Sequence, residues 1–257
     1  MKINFSKYQA TGNDFVLIDN RVHQYSFTQD QIKQICDRRF GVGADGLMLI
    51  EKHPTLDFNL VYYNSDGSQS LCGNGSRAAV IMAATLGLLK EKTVFNAYDG
   101  PHEAEVLKSG VVRLKMNPVA SVKKLGESYF INTGSPHYLQ VVGDVQNFPV
   151  VAEGRKIRYS DTFKPGGTNV NFIQLLGDNS IFVRTYERGV EDETYSCGTG
   201  VTAAALAASF HGYTSPVKVK VKGGELAVEF KAGQADTFDE IFLIGPAKMV
   251  FEGILEL

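Results

Sequence analysis

Residues 70–80 read SLCGNGSRAAV and residues 196–206 read SCGTGVTAAAL. Cys72 and Cys197 each stand directly before Gly-x-Gly, and each phrase runs into small, helix-forming residues. The two cysteines are 125 positions apart (197 − 72). Three more landmarks recur in the same order. VYYNSDG (61–67) parallels VRTYERG (183–189), with Asn64 and Glu187 separated by 123. GADGLMLI (43–50) parallels GTNVNFIQLL (167–176), with Asp45 and Asn169 separated by 124. ATGNDFVLI (10–18) parallels NTGSPHYLQ (132–140), with Gly12 and Gly134 separated by 122. An ordered set of matches at a nearly constant offset implies two halves with one fold. The period is far above the roughly 20–50 residues of stacked repeats, so a solenoid is excluded.

Each half reads as mixed α/β. Apolar, β-branched runs bounded by turn residues predict strands at 15–19, 47–51, 58–63, 111–116, 170–176, 181–186, 217–221, 226–230 and 241–245. Helices are expected at 28–39, 76–89 and 201–210. Thr28 and Gln31 make a capping box for the first, with Ile32, Ile35 and Cys36 on one face. The other two follow the cysteine phrases directly and end near Gly87 and Gly212. Both are Ala-rich and apolar nearly all round, the pattern of a helix wrapped by strands. The expected architecture is therefore α/β with mixed sheets. Two pseudo-symmetric domains each carry a barrel-like sheet around a central helix, with an active site in the cleft between them. The linker falls near Pro118. The N-terminal half is expected over 1–117, completed by a C-terminal strand at 249–257, and the second half over 118–248.

Charge and cysteine content narrow the partners. The net charge is −2, which gives no basic surplus for nucleic acid. No run approaches the roughly 20 apolar residues of a membrane span, and the N-terminus lacks a secretory pattern. Three cysteines form no disulfide framework. A cytoplasmic protein with free thiols is expected, and Cys36 reads as a core residue. The five histidines have no metal-ligand spacing, and there is no CxxC, so no metal is expected. His23, His53, His102 and His211 read as surface or turn residues. GVGADG (41–46) matches G-x-G-x-x-G, but a helix precedes it and a strand follows, the reverse of a dinucleotide site.

The duplicated phrase has a chemical reading. A cysteine at a helix N-terminus meets unpaired N–H groups and the positive end of the macrodipole. Thiolate is favoured there, and the same N–H groups suit a carboxylate. Two such ends, one from each half, would flank the α-carbon of a bound amino acid with two thiols. One can take the α-proton and the other return a proton to the opposite face, which inverts the centre. The helix-end donors would stabilise the carbanion as an enediolate-like carboxylate. Inversion needs two acid–base groups, which accounts for the duplication.

The motifs KYQATGNDFVLID, RRFGVGADG, YYNSDGSQSLCGNG, TGSPH, TNVNF, YERGVEDET and SCGTG run in order across nearly the whole chain. In this the chain resembles the diaminopimelate epimerase family, isomerases of lysine and peptidoglycan biosynthesis that use no cofactor. The resemblance implies epimerisation of LL-diaminopimelate to the meso form, with Cys72 giving and Cys197 taking the proton. It assigns Gly73, Asn74, Gly198 and Thr199 to the reacting carboxylate. Asn13, Asn64, Asn169, Glu187 and Arg188 are assigned to the rest of the substrate. His137, with Glu187, would support activity. Arg188 suits a carboxylate as a planar fork, Glu187 suits an ammonium, and asparagines can serve both kinds of group. The resemblance also implies a homodimer. Ser135 stands where many members have Asn, and Gly46 where some have Gln. Phe251 stands in place of a tyrosine that helps some members dimerise.

Two other readings fit the residues. The same two-thiol chemistry could act on proline, hydroxyproline or histidine. A dithiol redox pair of Cys72 and Cys197 is the reading from another class, against which stands the lack of a CxxC-like resolving arrangement.

Overall fold

The computed structural model describes residues 2–257. The chain divides into two compact units, one of residues up to Leu114 with Gly245–Leu257, the other of Lys115–Ile244. In the first unit, strands β1 (Lys2–Ala10) and β2 (Asn13–Asp19) lead to helix α1 (Gln29–Cys36). Then come β3 (Gly46–Glu51), β4 (Phe58–Asn64), helix α2 (Gly73–Thr85), β5 (Lys92–Ala97), β6 (Gly100–Val106) and β7 (Val112–Lys115). The pairings β1–β2, β3–β4, β5–β6 and β6–β7 are antiparallel, while β2–β3 and β4–β5 are parallel.

The second unit opens with β8 (Lys123–Leu125), β9 (Ser128–Asn132) and β10 (Pro136–Val141). It continues through α3 (Val150–Arg158), β11 (Asn169–Leu175), β12 (Ser180–Glu187) and a short β13 (Asp192–Thr194). Helix α4 (Gly198–Ser209), β14 (Val217–Val221), β15 (Gly224–Ala232) and β16 (Phe238–Gly245) complete it. The pairing pattern of the first unit repeats here. Antiparallel β9–β10, parallel β10–β11, antiparallel β11–β12, parallel β12–β14 and antiparallel β14–β15–β16 follow in turn. The final strand, β17 (Lys248–Glu256), returns to the first unit and pairs antiparallel with β1, as β8 does with β9.

The mixed sheet of each unit wraps its central helix. Helix α2 packs on β1, β2, β3, β4, β6 and β17, and α4 packs on β9, β10, β11, β12, β14 and β15. Alanines make this possible. Ala78, Ala79 and Ala83 of α2, and Ala203, Ala204, Ala205, Ala207 and Ala208 of α4, are all buried. Short side chains all round let strands approach from several sides. The apolar character that would suit a membrane span is used here in helices of 13 and 12 residues. Among the described residues no helix is long and apolar enough to cross a bilayer.

Several sequence expectations need correction. Helix α1 starts with the expected Thr28–Gln31 capping box but ends at Cys36 rather than residue 39. The Asp37 carboxylate accepts the Arg39 and Phe40 N–H groups, both at 2.7 Å, and draws the chain into a turn. The C-terminal strand expected at 249–257 is β17, whereas strands β1, β5, β6, β8, β9, β10 and β13 and helix α3 were not expected, because most alternate polar and apolar residues weakly. His102 is a buried residue of β6, not a surface one, and its ring stacks on Phe95 with centroids 5.7 Å apart. The strand registers also shift one landmark. Phe15 pairs with Gly46 in the first unit, and His137 with Asn169 in the second. Since 137 − 15 = 122, the equivalent of Asn169 is Gly46, not Asp45.

Candidate active site

The two cysteines are the N-caps of the two central helices. Cys72 has φ −130° and ψ 110°, Cys197 φ −118° and ψ 109°, so the chain enters each helix in the same way. The Gly-x-Gly segments lie inside the first helical turn, three residues earlier than helix propensity suggests. Packing explains why glycine is needed there. A Cβ on Gly75 would sit 1.9 Å from Cε of Met48, and one on Gly200 would sit 2.5 Å from Oδ1 of Asn171 and 3.2 Å from Cε1 of His137. Side chains from the strands beneath occupy the space a Cβ would need, the flexible end of Met48 at Gly75 and the hydrogen-bonded Asn171 and His137 at Gly200.

In the first unit the Cys72 sulfur accepts the Gly75 N–H at 3.4 Å and lies 3.7 Å from Oδ1 of Asn13. Two of the sequence-identified asparagines join it through one directional chain. Arg77 Nη2 donates to Asn74 Oδ1 at 2.9 Å, Asn74 Nδ2 donates to Asn13 Oδ1 at 3.3 Å, and Asn13 Nδ2 donates to Asp45. A guanidinium can only donate and a carboxylate accepts, so the charged ends fix both amides between them. Arg77 is fully buried and also donates to Thr11 Oγ1 at 3.3 Å and to the Gly73 carbonyl at 3.4 Å. Burial pushes its guanidinium down to about 10, with the Cys72 thiolate acting in the other direction, so it stays a cation at neutral pH. Asp45 is held in turn by Arg38 at 2.7 Å. Asn64 belongs to a different arrangement: its amide donates to Ser68 and, at 3.1 Å, to Ser70, closing the 64–70 turn that leads into Cys72.

In the second unit Cys197, Thr199, His137 and Asn169 form one network. Thr199 Oγ1 lies 3.5 Å from the Cys197 sulfur, 2.9 Å from His137 Nε2 and 3.0 Å from Ser135 Oγ. Asn169 donates to Ser135 Oγ at 3.3 Å and to the Pro136 carbonyl at 3.0 Å, while its Oδ1 accepts the Arg188 N–H at 2.8 Å. Glu187 accepts from Thr194 Oγ1 at 2.9 Å, and the exposed Arg188 guanidinium donates to the Gly166 carbonyl at 3.2 Å. His137 is fully buried and neutral. Burial and the positive charge of Arg188 push it down to about 3, against the hydrogen bond with Asn171. Gly73, Asn74 and Gly198 are buried in the first turns of their helices. Among the described residues no cluster of three or more His, Cys, Asp or Glu is placed to hold a metal ion.

Sequence reasoning missed Arg77, Asp45, Asn171 and Thr185. A signal existed for two of them. The registers pair Met48 with Tyr62 in the first unit and Asn171 with Thr185 in the second. Aligning the halves residue by residue therefore sets Phe15, Met48 and Tyr62 against His137, Asn171 and Thr185. The first three are two apolar side chains and a tyrosine, while the second three are all polar.

A duplicated mixed α/β fold, with a cysteine capping each central helix, defines the class to which the molecule belongs. The same fold is found in a phenazine biosynthesis protein of the PhzF family from Bacillus anthracis, with a TM-score of 0.76 and 15% identity over 100% of both chains. At family level the match is by sequence. The family model for diaminopimelate epimerase matches residues 5–122 and 129–250, and the chain belongs to that family. It is 48% identical over 250 residues to the diaminopimelate epimerase of Flavobacterium psychrophilum, covering 96% of this chain and 97% of that one. Against the diaminopimelate epimerase of Chlorobaculum tepidum it is 41% identical over 258 residues, covering 96% and 99%.

Proposed function

We propose that this protein epimerises LL-diaminopimelate to meso-diaminopimelate through proton transfer by Cys72 and Cys197, without a cofactor. The observation that carries this reading is family membership over nearly the whole chain together with a cysteine cap on both central helices. One sulfur removes the α-proton and the other delivers a proton to the opposite face of the same carbon. In the LL-to-meso direction Cys197 is the base and Cys72 the acid, and the reverse reaction exchanges them. The α-proton is far less acidic than a thiol, so the carbanion must be stabilised. First-turn N–H groups of α2 and α4, at Gly73, Asn74, Gly198 and Thr199, serve the reacting carboxylate; one such donor is typically worth about 10²–10³ in rate. Asn13, Asn64, Asn169, Glu187 and Arg188 hold the distal amino and carboxylate groups, and His137 supports the second unit's half of the reaction.

The protein is proposed to work in the cytoplasm as a homodimer. Support for the dimer comes from β17, whose Met249, Val250, Phe251 and Ile254 are 46–64% exposed, an apolar row on one strand. Light scattering at micromolar concentration tests it.

The activity test is proton exchange into LL-diaminopimelate in heavy water, followed by NMR. Wild type is expected to place deuterium at the inverted centre of the product. Cys72→Ala and Cys197→Ala are each expected to lose at least about 10³-fold in epimerisation. Full activity in either variant would overturn the two-thiol mechanism, and exchange only with proline-like substrates would overturn the substrate.

A further inference from the structure

The duplicated fold supplies its own control for what each position needs. Met48 packs beneath the first turn of α2, and Phe15 and Tyr62, on the strands either side of β3, meet edge-to-face at 6.1 Å. At the equivalent places beneath α4 stand His137, Asn171 and Thr185, which are 0%, 0% and 4% exposed. Two apolar side chains and a tyrosine suffice to build this part of the fold in the first unit. Three buried polar side chains at the same positions risk a desolvation penalty of about 1–3 kcal/mol for each group left unsatisfied, so folding alone does not call for them.

Their hydrogen bonds run in one direction only. Asn171 Nδ2 lies 3.1 Å from the Tyr138 carbonyl, which can only accept, so the amide nitrogen faces that way. The same nitrogen lies 3.1 Å from His137 Nδ1, while Thr185 Oγ1 bonds the amide oxygen at 2.9 Å. His137 Nδ1 must therefore accept, and the neutral ring carries its proton on Nε2. That N–H points at Thr199 Oγ1 and Ser135 Oγ, 2.9 and 3.0 Å away. Ser135 Oγ already receives the Asn169 amide N–H, whose orientation the Pro136 carbonyl fixes. With His137 and Asn169 both donating, the Ser135 hydroxyl proton is left with Thr199, and the Thr199 proton with the sulfur of Cys197.

We infer that Asn171 is a positioning residue: it locks His137 as the Nε2–H tautomer, so that Thr199 delivers a hydroxyl hydrogen bond to Cys197 and stabilises its thiolate. This deepens the proposed function, since it explains how the base is made ready, and it rests on that reading only for the purpose of the thiolate. His137 accordingly acts as a fixed donor and exchanges no proton with substrate. The charged side chain acting on this histidine is Arg188, and the first turn of α4 carries no acidic residue.

Three measurements without substrate test the inference, so its failure is separable from failure of the epimerase reading. Nitrogen-15 NMR of the imidazoles, with His137 assigned through His137→Gln, should show protonated Nε2 and bare Nδ1. A protonated Nδ1 in wild type overturns the proposal. Asn171→Asp presents an acceptor to Nδ1 and should make it protonated; a bare Nδ1 in that variant shows that Asn171 does not set the tautomer. The pH midpoint of Cys197 alkylation, read in a Cys36→Ala/Cys72→Ala background, should rise by about one pH unit in Thr199→Val and stay in place in Thr199→Ser. An unchanged midpoint in Thr199→Val overturns the relay.

Discussion

The helix ends of the two units share backbone geometry and differ in almost everything around the sulfur. Cys72 stands over a buried cation, Arg77, and faces the amide oxygen of Asn13. In the second unit the residue equivalent to Arg77 is Thr202 (77 + 125), whose hydroxyl bonds the Gly198 carbonyl at 3.0 Å. A hydroxyl, that of Thr199, faces the Cys197 sulfur. The Asn13 amide oxygen can accept the proton of the Cys72 thiol, the nearby Arg77 cation favours the thiolate of the same residue, and the Thr199 hydroxyl can donate to the Cys197 sulfur. The same fold thus carries two hydrogen-bond chains of opposite sense. Duplication provides two equivalent positions, and a few buried side chains make them chemically unequal.

The comparison can be broken most forcefully at Arg77. Arg77→Met removes the donor that orients Asn74 and leaves buried acceptors unpaired. It is expected to lower the unfolding free energy by about 3 kcal/mol and turnover by about 100-fold, whereas Thr202→Val should change stability by less than about 1 kcal/mol. Urea titration and initial rates check this, and equal effects at the two positions would remove the asymmetry. The two second glycines provide the next contrast. Gly200→Ala drives a methyl into Asn171 and His137, which hydrogen bonds hold in place, and should destabilise by about 1–3 kcal/mol. Gly75→Ala meets the flexible end of Met48 and should lose less than half as much in the same thermal melt.

A third contrast is in pH. His137 is pushed from 6.5 down to about 3, so the unfolded chain binds a proton at this residue that the native one does not. Its contribution to stability is complete above pH 6.5 and is lost as pH falls towards 3. Between pH 6.5 and about 4.5, above the range of ordinary carboxylates, wild type should lose stability on acidification and His137→Gln should lose less. Phe15 at the matching place in the first unit adds no such slope. The smallest effect is expected at Cys36. Burial pushes its thiol up to about 11, so native protein at neutral pH should not be alkylated there. Cys36→Ala should keep full turnover and cost about 1 kcal/mol in stability.

Much of the fold was legible in the sequence because its signals are local. The two cysteine phrases, the Ala-rich helices behind them and the strongest strands depend on composition and spacing within short windows. Weakly alternating strands such as β5 and β6 escaped because their identity comes from the neighbours they pair with. Asn64 shows the limit at the site. Its sequence suits both a turn former and a ligand, and its amide is engaged in closing the 64–70 turn.

The sequence by itself determined that the molecule is built twice, where each thiol lies, and that each cysteine stands at a helix N-terminus. Those properties follow from an ordered repeat and from helix-end chemistry, which operate over a few residues. Only the tertiary structure decided which side chains surround each thiol. Arg77 reaches Asn74, Asn13 and Asp45, and Asn171 reaches His137, across strands that are distant in sequence. Strand register sets those contacts, and a shift of one residue, as between Asp45 and Gly46, would turn each side chain to the other face of the sheet.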